Sequence, residues 1–165
     1  MWKFLFLAAV TAALFVMGCE LARSYPETFV QSPSSCDVVV LRPGLDGNYE
    51  ESWREAMNAL ENGWDTEGVW EVEAAEKDRG FVRTAWRYGY SCYRFGDYRR
   101  RITLRFSTVE GPDKLYVKTE VERKKRTAES LRWGGKAVGW IKGSDPAFQQ
   151  EVYAEMQDRL GGGPT

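Results

Sequence analysis

The stretch RITLRFSTVEGPDKLYVKTEV, residues 101–121, decides the fold of this chain. On each side of Gly111-Pro112-Asp113, apolar residues recur at every second position, and mostly charged or polar residues fill the positions between them. A period of two is typical of a strand with one buried and one exposed face. Gly and Pro favour a turn between two such strands. We therefore predict two consecutive antiparallel strands here.

Comparable patterns precede this hairpin. A β-branched run at 37–41 predicts an earlier strand, and alternation at 69–74 and 81–86 predicts two more strands. Charged residues recur on the predicted outward side of the sheet, where opposite signs on neighbouring strands suit cross-strand pairing on a solvated face rather than a site. They are Glu71, Glu73, Arg83, Arg101, Arg105, Lys118 and Glu120.

Two helices are predicted from their end signals. Asn48 can cap the first helix, which ends at Asn62-Gly63. Asp145-Pro146 begins the second helix and Gly161 ends it. The predicted fold class is α+β: a single helix-grip-like domain with a curved antiparallel sheet of about five strands and both helices packed on one face.

The first residues have the features of a secretory signal. Lys3 is followed by an uncharged, mostly apolar run at 4–17, which is short for a transmembrane helix. The run ends in Val16-Met17-Gly18-Cys19, which resembles the lipobox of bacterial lipoproteins. The resemblance implies cleavage before Cys19 and acylation of that cysteine. A plain signal anchor is the alternative.

This resemblance implies a division of the chain and an address. We predict a lipoprotein signal peptide at 1–18, a lipidated tether at 19–35, an α+β domain at 36–160 and a flexible tail at 161–165. Glu20 after the cysteine implies, by the sorting rule known for enterobacteria, the outer membrane facing the periplasm. The expected partners are the membrane, through the lipid, and another envelope protein.

Cys36 and Cys92 remain once Cys19 is lipidated. An even pair of cysteines in an exported protein predicts a disulfide. Such a bridge would close a loop of about 56 residues and contribute about 4 kcal/mol by the chain-entropy estimate. Two free, buried thiols are the alternative.

Composition argues against several functions. The chain has no His, so neither a Ser–His nor a Cys–His catalytic pair can form. A net charge of -1 does not favour nucleic acid. The sequence shows no phosphate-binding loop and no metal-ligand spacing. We predict no enzyme activity, no catalytic residues, no metal and no cofactor.

The segment WRYGYSCYRFGDYRRR, residues 86–101, stands out because aromatic residues and Arg are interleaved in it. We expect an irregular stretch that forms part of a partner-binding surface, since Tyr and Arg are enriched at interface hot spots. A second loop at 123–143 has similar chemistry. The candidate residues are Arg87, Tyr88, Tyr90, Tyr93, Arg94, Phe95 and Trp133. The alternative is that the two segments are a long hairpin and a crossover whose aromatic side chains cover the open end of the sheet.

Two functions follow from this composition. The first is a non-catalytic protein-interaction module of the envelope. The second is a lipoprotein that recognises a glycan or lipid headgroup through its aromatic and basic loops. A pocket at the sheet–helix junction lined by Trp86 and Trp133 would favour the second function, and a flat aromatic patch would favour the first.

A wider resemblance covers residues 37–160. The lipobox, the helix pattern from Trp53 to Leu60, the run from Trp70 to Trp86, the two strands of 101–121 and the final helix resemble the helix-grip domains of BamC/NlpB-type lipoproteins. Those are accessory subunits of the outer-membrane β-barrel assembly machinery. The resemblance implies the same fold and a role in assembly or maintenance of the outer membrane. The resemblance covers about one domain's length, whereas members of that family carry two such domains and a long N-terminal lasso.

We predict that Cys19→Ser abolishes metabolic labelling with palmitate and releases the protein from the membrane fraction, because the sulfur carries the first acyl chains. Labelling and fractionation of cells that express either form check this. A variant that stays labelled and membrane-bound would show that the lipobox interpretation is wrong.

Overall fold

The fold was analysed in a computed structural model. It describes residues 29–31, 36–64, 68–91, 94–125 and 139–162, and for residues 90, 91 and 94–97 it describes the backbone alone. The helices are α1 (Tyr49–Asn62) and α2 (Pro146–Leu160). The strands are β1 (Cys36–Val40), β2 (Val72–Glu76), β3 (Phe81–Thr84), β4 (Arg87–Ser91), β5 (Arg94–Phe106), β6 (Lys114–Lys125) and β7 (Gly139–Gly143).

Both helices begin where the sequence predicts. The Asn48 side chain accepts a hydrogen bond from the Glu51 backbone N–H, and Asp145 does the same for Phe148 at 3.1 Å. Pro146 occupies the first turn of α2, where a missing N–H costs nothing. Neither described helix is long and apolar enough to span a membrane.

The β5–β6 pair is the spine of the sheet. These antiparallel strands share nine consecutive register pairs, from Tyr98↔Arg123 to Phe106↔Leu115. Each outer edge of the spine is divided between two shorter strands: β3 and β4 pair with β5, while β1 and β7 pair with β6. The strand β2 pairs with β3. At one end the order is β1-β6-β5-β3-β2, and at the other end the spine lies between β4 and β7.

The described sheet therefore has seven strands, so the prediction of about five is too low. The five-stranded end matches the predicted strands. The two additional strands, β4 and β7, were missed because each is only five residues long and contains Gly, which is depleted in strands: β4 reads RYGYS and β7 reads GWIKG. Cross-strand hydrogen bonding to a long partner strand forms them despite a weak local pattern.

Along each edge of the spine, one outer strand ends before the next begins. In each of these gaps a side chain forms hydrogen bonds with the spine backbone. On β5 the Thr84 hydroxyl accepts a hydrogen bond from the Ile102 N–H at 2.9 Å. On β6 the Gln149 amide of α2 accepts from the Thr119 N–H at 2.9 Å and donates to the Val117 carbonyl at 3.2 Å. Gln149 thus performs the hydrogen bonding of a missing strand. A buried backbone group left unpaired would cost about 1–3 kcal/mol.

One face of the sheet, the inner face, carries the core. Alternate residues of the spine, such as Ile102, Leu104 and Val117, are fully buried against α1 and α2, which contact each other. Ala56 and Ala59 of α1 and Val152 and Met156 of α2 are also fully buried. The predicted α+β class with both helices on one face is confirmed.

Only one partner of the predicted Cys36–Cys92 disulfide lies within the described residues. Cys36 is an exposed free thiol on β1, opposite Lys118, and Cys92 lies outside the described residues. Its described neighbours, Ser91 and Arg94, pair at the far end of β4–β5, about 30 Å along the strands from the level of Cys36. A bridge needs Cα atoms within about 7 Å. A disulfide between the two cysteines would therefore require the end of the β4–β5 hairpin to adopt a different strand register. The disulfide stays a prediction.

We predict that Gln149→Leu lowers the free energy of unfolding by about 3 kcal/mol, because it leaves the edge of β6 unpaired within the core. Denaturant unfolding measures the change. Gln150→Leu is the matched control: Gln150 is the next residue of the same helix and is exposed, so its substitution should stay within about 0.5 kcal/mol. Equal losses in the two variants would contradict the edge-completing role.

Candidate functional site

The predicted irregular stretch at 86–101 is wrong: residues 87–91 and 94–101 belong to the β4–β5 hairpin. Because successive strand residues point to opposite faces, Arg87 and Tyr88 are separated. Arg87 faces inward, with its guanidinium 5.0 Å from the ring centre of Trp70. Tyr88 faces outward and is 45% exposed.

The remaining residues of the predicted surface are only partly described. Tyr90, Arg94 and Phe95 lie in β4 and β5, and only their backbone is described. Tyr93 and Trp133 lie outside the described residues. Of the two residues in this set whose side chains are described, Tyr88 lies on the outer face, and Arg87 takes the alternative role of core cover.

The inner face at Arg87 is a closed aromatic stack. The ring of Trp70 stacks on those of Trp64 and Phe148, with centroids 6.2 and 5.6 Å apart. The buried guanidinium of Arg100 lies 4.2 Å from the Phe148 ring centre, beneath the sheet. These cations extend the core with their apolar stems and π contacts. They leave little surface for a partner on this side.

The outer face carries a different arrangement, a ladder of alternating cations and aromatic rings. The guanidinium of Arg99 lies between two indoles, 4.4 Å from Trp86 and 4.0 Å from Trp140. Arg101 lies on Trp86 at 4.3 Å, and the Lys124 ammonium lies 5.6 Å from Trp140. Four contacts of this kind in a row fix the plane of each ring.

Two ion pairs hold the arginines of the ladder in place. The Arg99 Nε donates to Glu122 Oε2 at 2.8 Å, and Glu122 is only 7% exposed. Burial, the largest single effect, lowers the pKa of Arg99, but the hydrogen bonds to Glu122 and Tyr88 and the charge of Glu122 together raise that pKa overall. Likewise, burial, the largest single effect, raises the pKa of Glu120, but the hydrogen bond from Arg101 and the charges of Arg101, Lys118 and Lys142 together lower it overall. Arg99 and Glu120 are thus held in their ionised forms at neutral pH.

Three aromatic side chains, Trp86, Tyr88 and Trp140, cover the Arg99–Glu122 pair, and we call them the aromatic roof. The strands β4 and β7 are three strand spacings apart, about 14 Å. The rings of Tyr88 and Trp140 nevertheless approach to 6.2 Å between centroids. They therefore converge above the spine and shield the ion pair from water.

The outward charges identified in the sequence are only partly a solvated face. The predicted cross-strand pairing is confirmed: Arg83 of β3 contacts Glu73 of β2 at 3.0 Å, and Arg101 of β5 contacts Glu120 of β6 at 2.5 Å. The prediction that this face is merely solvated is wrong at the β4–β7 end, where the aromatic roof covers it. The roof depends on residues that lie far apart in sequence, which the strand pattern alone does not connect.

The rim of the roof is positively charged. Among the described side chains, Arg99, Arg101, Lys124 and Lys142 share this end of the outer face with Glu73, Glu120 and Glu122, so four cations meet three carboxylates. Arg99 and Arg101 are neutralised by their carboxylate partners. Lys142 is exposed at this rim.

Chemistry elsewhere in the described residues is sparse. They contain no group of three His, Cys, Asp or Glu residues placed to hold a metal. Burial and the neighbouring Asp37 raise the pKa of the Cys36 thiol, which disfavours the nucleophilic thiolate. An open groove along α1 is lined by Trp53 and Met57, with acidic residues around them. The Lys77–Glu50 ion pair crosses this groove at 2.6 Å.

No protein-family model matches the chain, and no curated protein matches it.

Sequence reasoning singled out the aromatic–Arg segment but missed the pairing that organises it. Sequence patterns indicated Trp86 only as part of the aromatic–Arg segment and as the lining of a pocket, and Arg99 and Trp140 only as members of aromatic and basic segments. They did not indicate Glu122. The period of two along this strand does place Glu122 on the outward face, because Glu120, Glu122 and Lys124 share one face of β6. The missing information was the register that places Glu122 opposite Arg99.

We predict that Arg99→Leu lowers the free energy of unfolding by about 3 kcal/mol, because it leaves the Glu122 carboxylate covered and unpaired. The double variant Arg99→Leu/Glu122→Leu should recover most of that loss, because no unpaired charge remains. Denaturant unfolding of both variants measures this.

Arg105→Leu is the matched control, since Arg105 is an exposed residue on the same face of β5. Its substitution should change the unfolding free energy by less than about 0.5 kcal/mol. A double variant as unstable as Arg99→Leu would contradict the role assigned to the ion pair.

Proposed function

We propose that this chain is a membrane-anchored envelope lipoprotein that acts as a non-catalytic protein-interaction module and contacts its partner through the aromatic roof. The observation that supports this best is the roof itself: an exposed Tyr88 beside two Trp rings and a basic rim, all on the open face of a sheet. Tyr, Trp and Arg are the residues enriched at interface hot spots.

The roof suits a binding surface because it is ordered by the fold alone. The cations of the ladder hold Trp86 and Trp140 from both sides, so little side-chain freedom is left to lose when a partner binds. The roof also lies on a broad strand surface rather than in a cleft. A flat aromatic patch favours a protein partner over a small ligand.

The envelope address rests on the sequence before the described residues. The lipobox resemblance at Cys19 implies a lipid anchor, and Glu20 implies the outer membrane, facing the periplasm. Cys19 and the signal peptide at 1–18 lie outside the described residues.

The resemblance to BamC/NlpB-type lipoproteins refines the proposal. Its support is the shared order of strand, helix, antiparallel strands and helix, with both helices on one face of the sheet. On that basis we describe the fold as helix-grip-like, and we place the protein in outer-membrane assembly or maintenance. The pair β4 and β7, which carries the roof, is an extension of the five-stranded pattern.

Recognition of a glycan or lipid headgroup is the second candidate. It is favoured by the exposed Lys142, which could meet an anionic group while Tyr88 and Trp140 stack on a sugar or rest at a membrane interface. The pocket expected at the sheet–helix junction does not include Trp86, which lies on the opposite face of the sheet, against Arg99 and Arg101.

We predict that a photoreactive phenylalanine analogue at position 88 crosslinks a protein partner in intact cells, whereas the same analogue at Tyr116 does not. Tyr116 is the matched control, since it is an outward-facing, 37% exposed tyrosine at the other end of the sheet. The test reads the crosslinked species by mass spectrometry before and after protease treatment.

A protease-resistant adduct to lipid or glycan at position 88 would favour the second candidate. Equal protein crosslinking from both positions, or none from position 88, would contradict the proposed surface. Tyr88→Ala should abolish partner recovery while leaving the unfolding free energy within about 1 kcal/mol of wild type.

A further inference from the structure

The segment before the domain returns to the fold at two residues. Phe29 and Val30 lie against the end of β7, where Val30 and Ser144 form an antiparallel bridge. The Val30 N–H donates to the Ser144 carbonyl at 2.9 Å, and the Ser144 N–H donates to the Val30 carbonyl at 2.8 Å. Part of the predicted tether is therefore attached to the sheet.

Gly143 makes room for this contact. A Cβ atom built at Gly143 would lie 2.4 Å from the Phe29 ring and 2.6 Å from the Val30 carbonyl oxygen. Real Cβ atoms do not approach other heavy atoms so closely. The absence of a side chain at position 143 is therefore what lets Phe29 lie flat against the end of the strand.

On its other side Phe29 contacts Tyr98 of β5, which is held in place by the N-terminus of α2. The Phe29 ring meets the Tyr98 ring edge to face, with centroids 6.3 Å apart. The Tyr98 hydroxyl donates to Asp145 at 2.9 Å, and Asp145 also caps α2. Phe29 thus packs on the edge of the core rather than on a mobile side chain.

We infer that Phe29 and Val30 form a latch that sets how far the domain can stand from its lipid anchor. Counting from Cys19, ten residues lead to Phe29 and span at most about 35 Å. Without the latch the next attachment is Cys36 on β1, and the reach grows to about 60 Å. With the latch formed, the segment after Cys19 therefore lets the domain stand no more than about 35 Å from the anchor, rather than about 60 Å.

The spacing role rests on the proposed lipid anchor, whereas the latch contact does not. Two measurements keep these claims separate. The first is hydrogen exchange of the full-length protein in detergent, which reports on the Val30 and Ser144 amides whether or not Cys19 is acylated. The second is neutron reflectometry of the same protein on a supported bilayer, which reports on the distance between domain and headgroups.

Gly143→Ala should accelerate exchange at least tenfold in the peptides that contain Val30 and Ser144, because its methyl group displaces Phe29. Phe29→Ala should do the same, and the double variant should show no further increase because both changes remove one contact. Gly111→Ala is the matched control: nothing lies within 4 Å of its Cβ position, so exchange should not change.

Two outcomes of the exchange experiment would overturn the latch. One is unchanged exchange in Gly143→Ala. The other is acceleration that extends to the β5–β6 spine, since Gly143 would then be a structural position of the core. If the latch peptides respond as expected but the domain lies no farther from the bilayer in Gly143→Ala, the contact stands and the spacing role is wrong. Protein that fails to stay on the bilayer would instead contradict the lipid anchor.

Discussion

The nine-pair ladder between β5 and β6 is the constraint on which the rest of this structure depends. The two strands are longer than any neighbour, so two shorter strands share each of their outer edges. That division leaves backbone groups at the junctions, and the fold satisfies them with Thr84 on one side and Gln149 on the other. Gln149 comes from α2, so completing the sheet also fixes the helix against it.

The same ladder gives the molecule two unlike ends. One end has five strands, and α2 runs along the inner face from beneath the opposite end, where Phe148 contacts Arg100. The other end places β4 and β7 on either side of the spine, which brings Trp86, Tyr88 and Trp140 above a single ion pair. Because Arg99 and Glu122 are register partners, the roof is a consequence of strand pairing rather than of a local motif. A contact surface built in this way is as rigid as the sheet beneath it.

Sequence patterns predicted the parts of the fold that depend on local chemistry. Asn48 and Asp145 identified the helix starts, and alternation identified the strands of 101–121, because caps and burial periods act within a few residues. The strands β4 and β7 were missed because their stability comes from pairing with the spine. For the site, composition indicated Tyr88, but the partnership of Arg99 with Trp86, Trp140 and Glu122 requires a register that periodicity does not specify.

The central claim is that the aromatic roof is organised in the free protein, before any partner binds. The Arg99 Nε–H signal in the proton–nitrogen NMR spectrum tests this most directly, because that proton bonds to Glu122 between two indole rings. We expect a resonance shifted upfield by ring currents, with solvent exchange at least tenfold slower than that of exposed Arg105. An Arg99 Nε–H that exchanges as fast as that of Arg105 at an unshifted frequency would contradict the account.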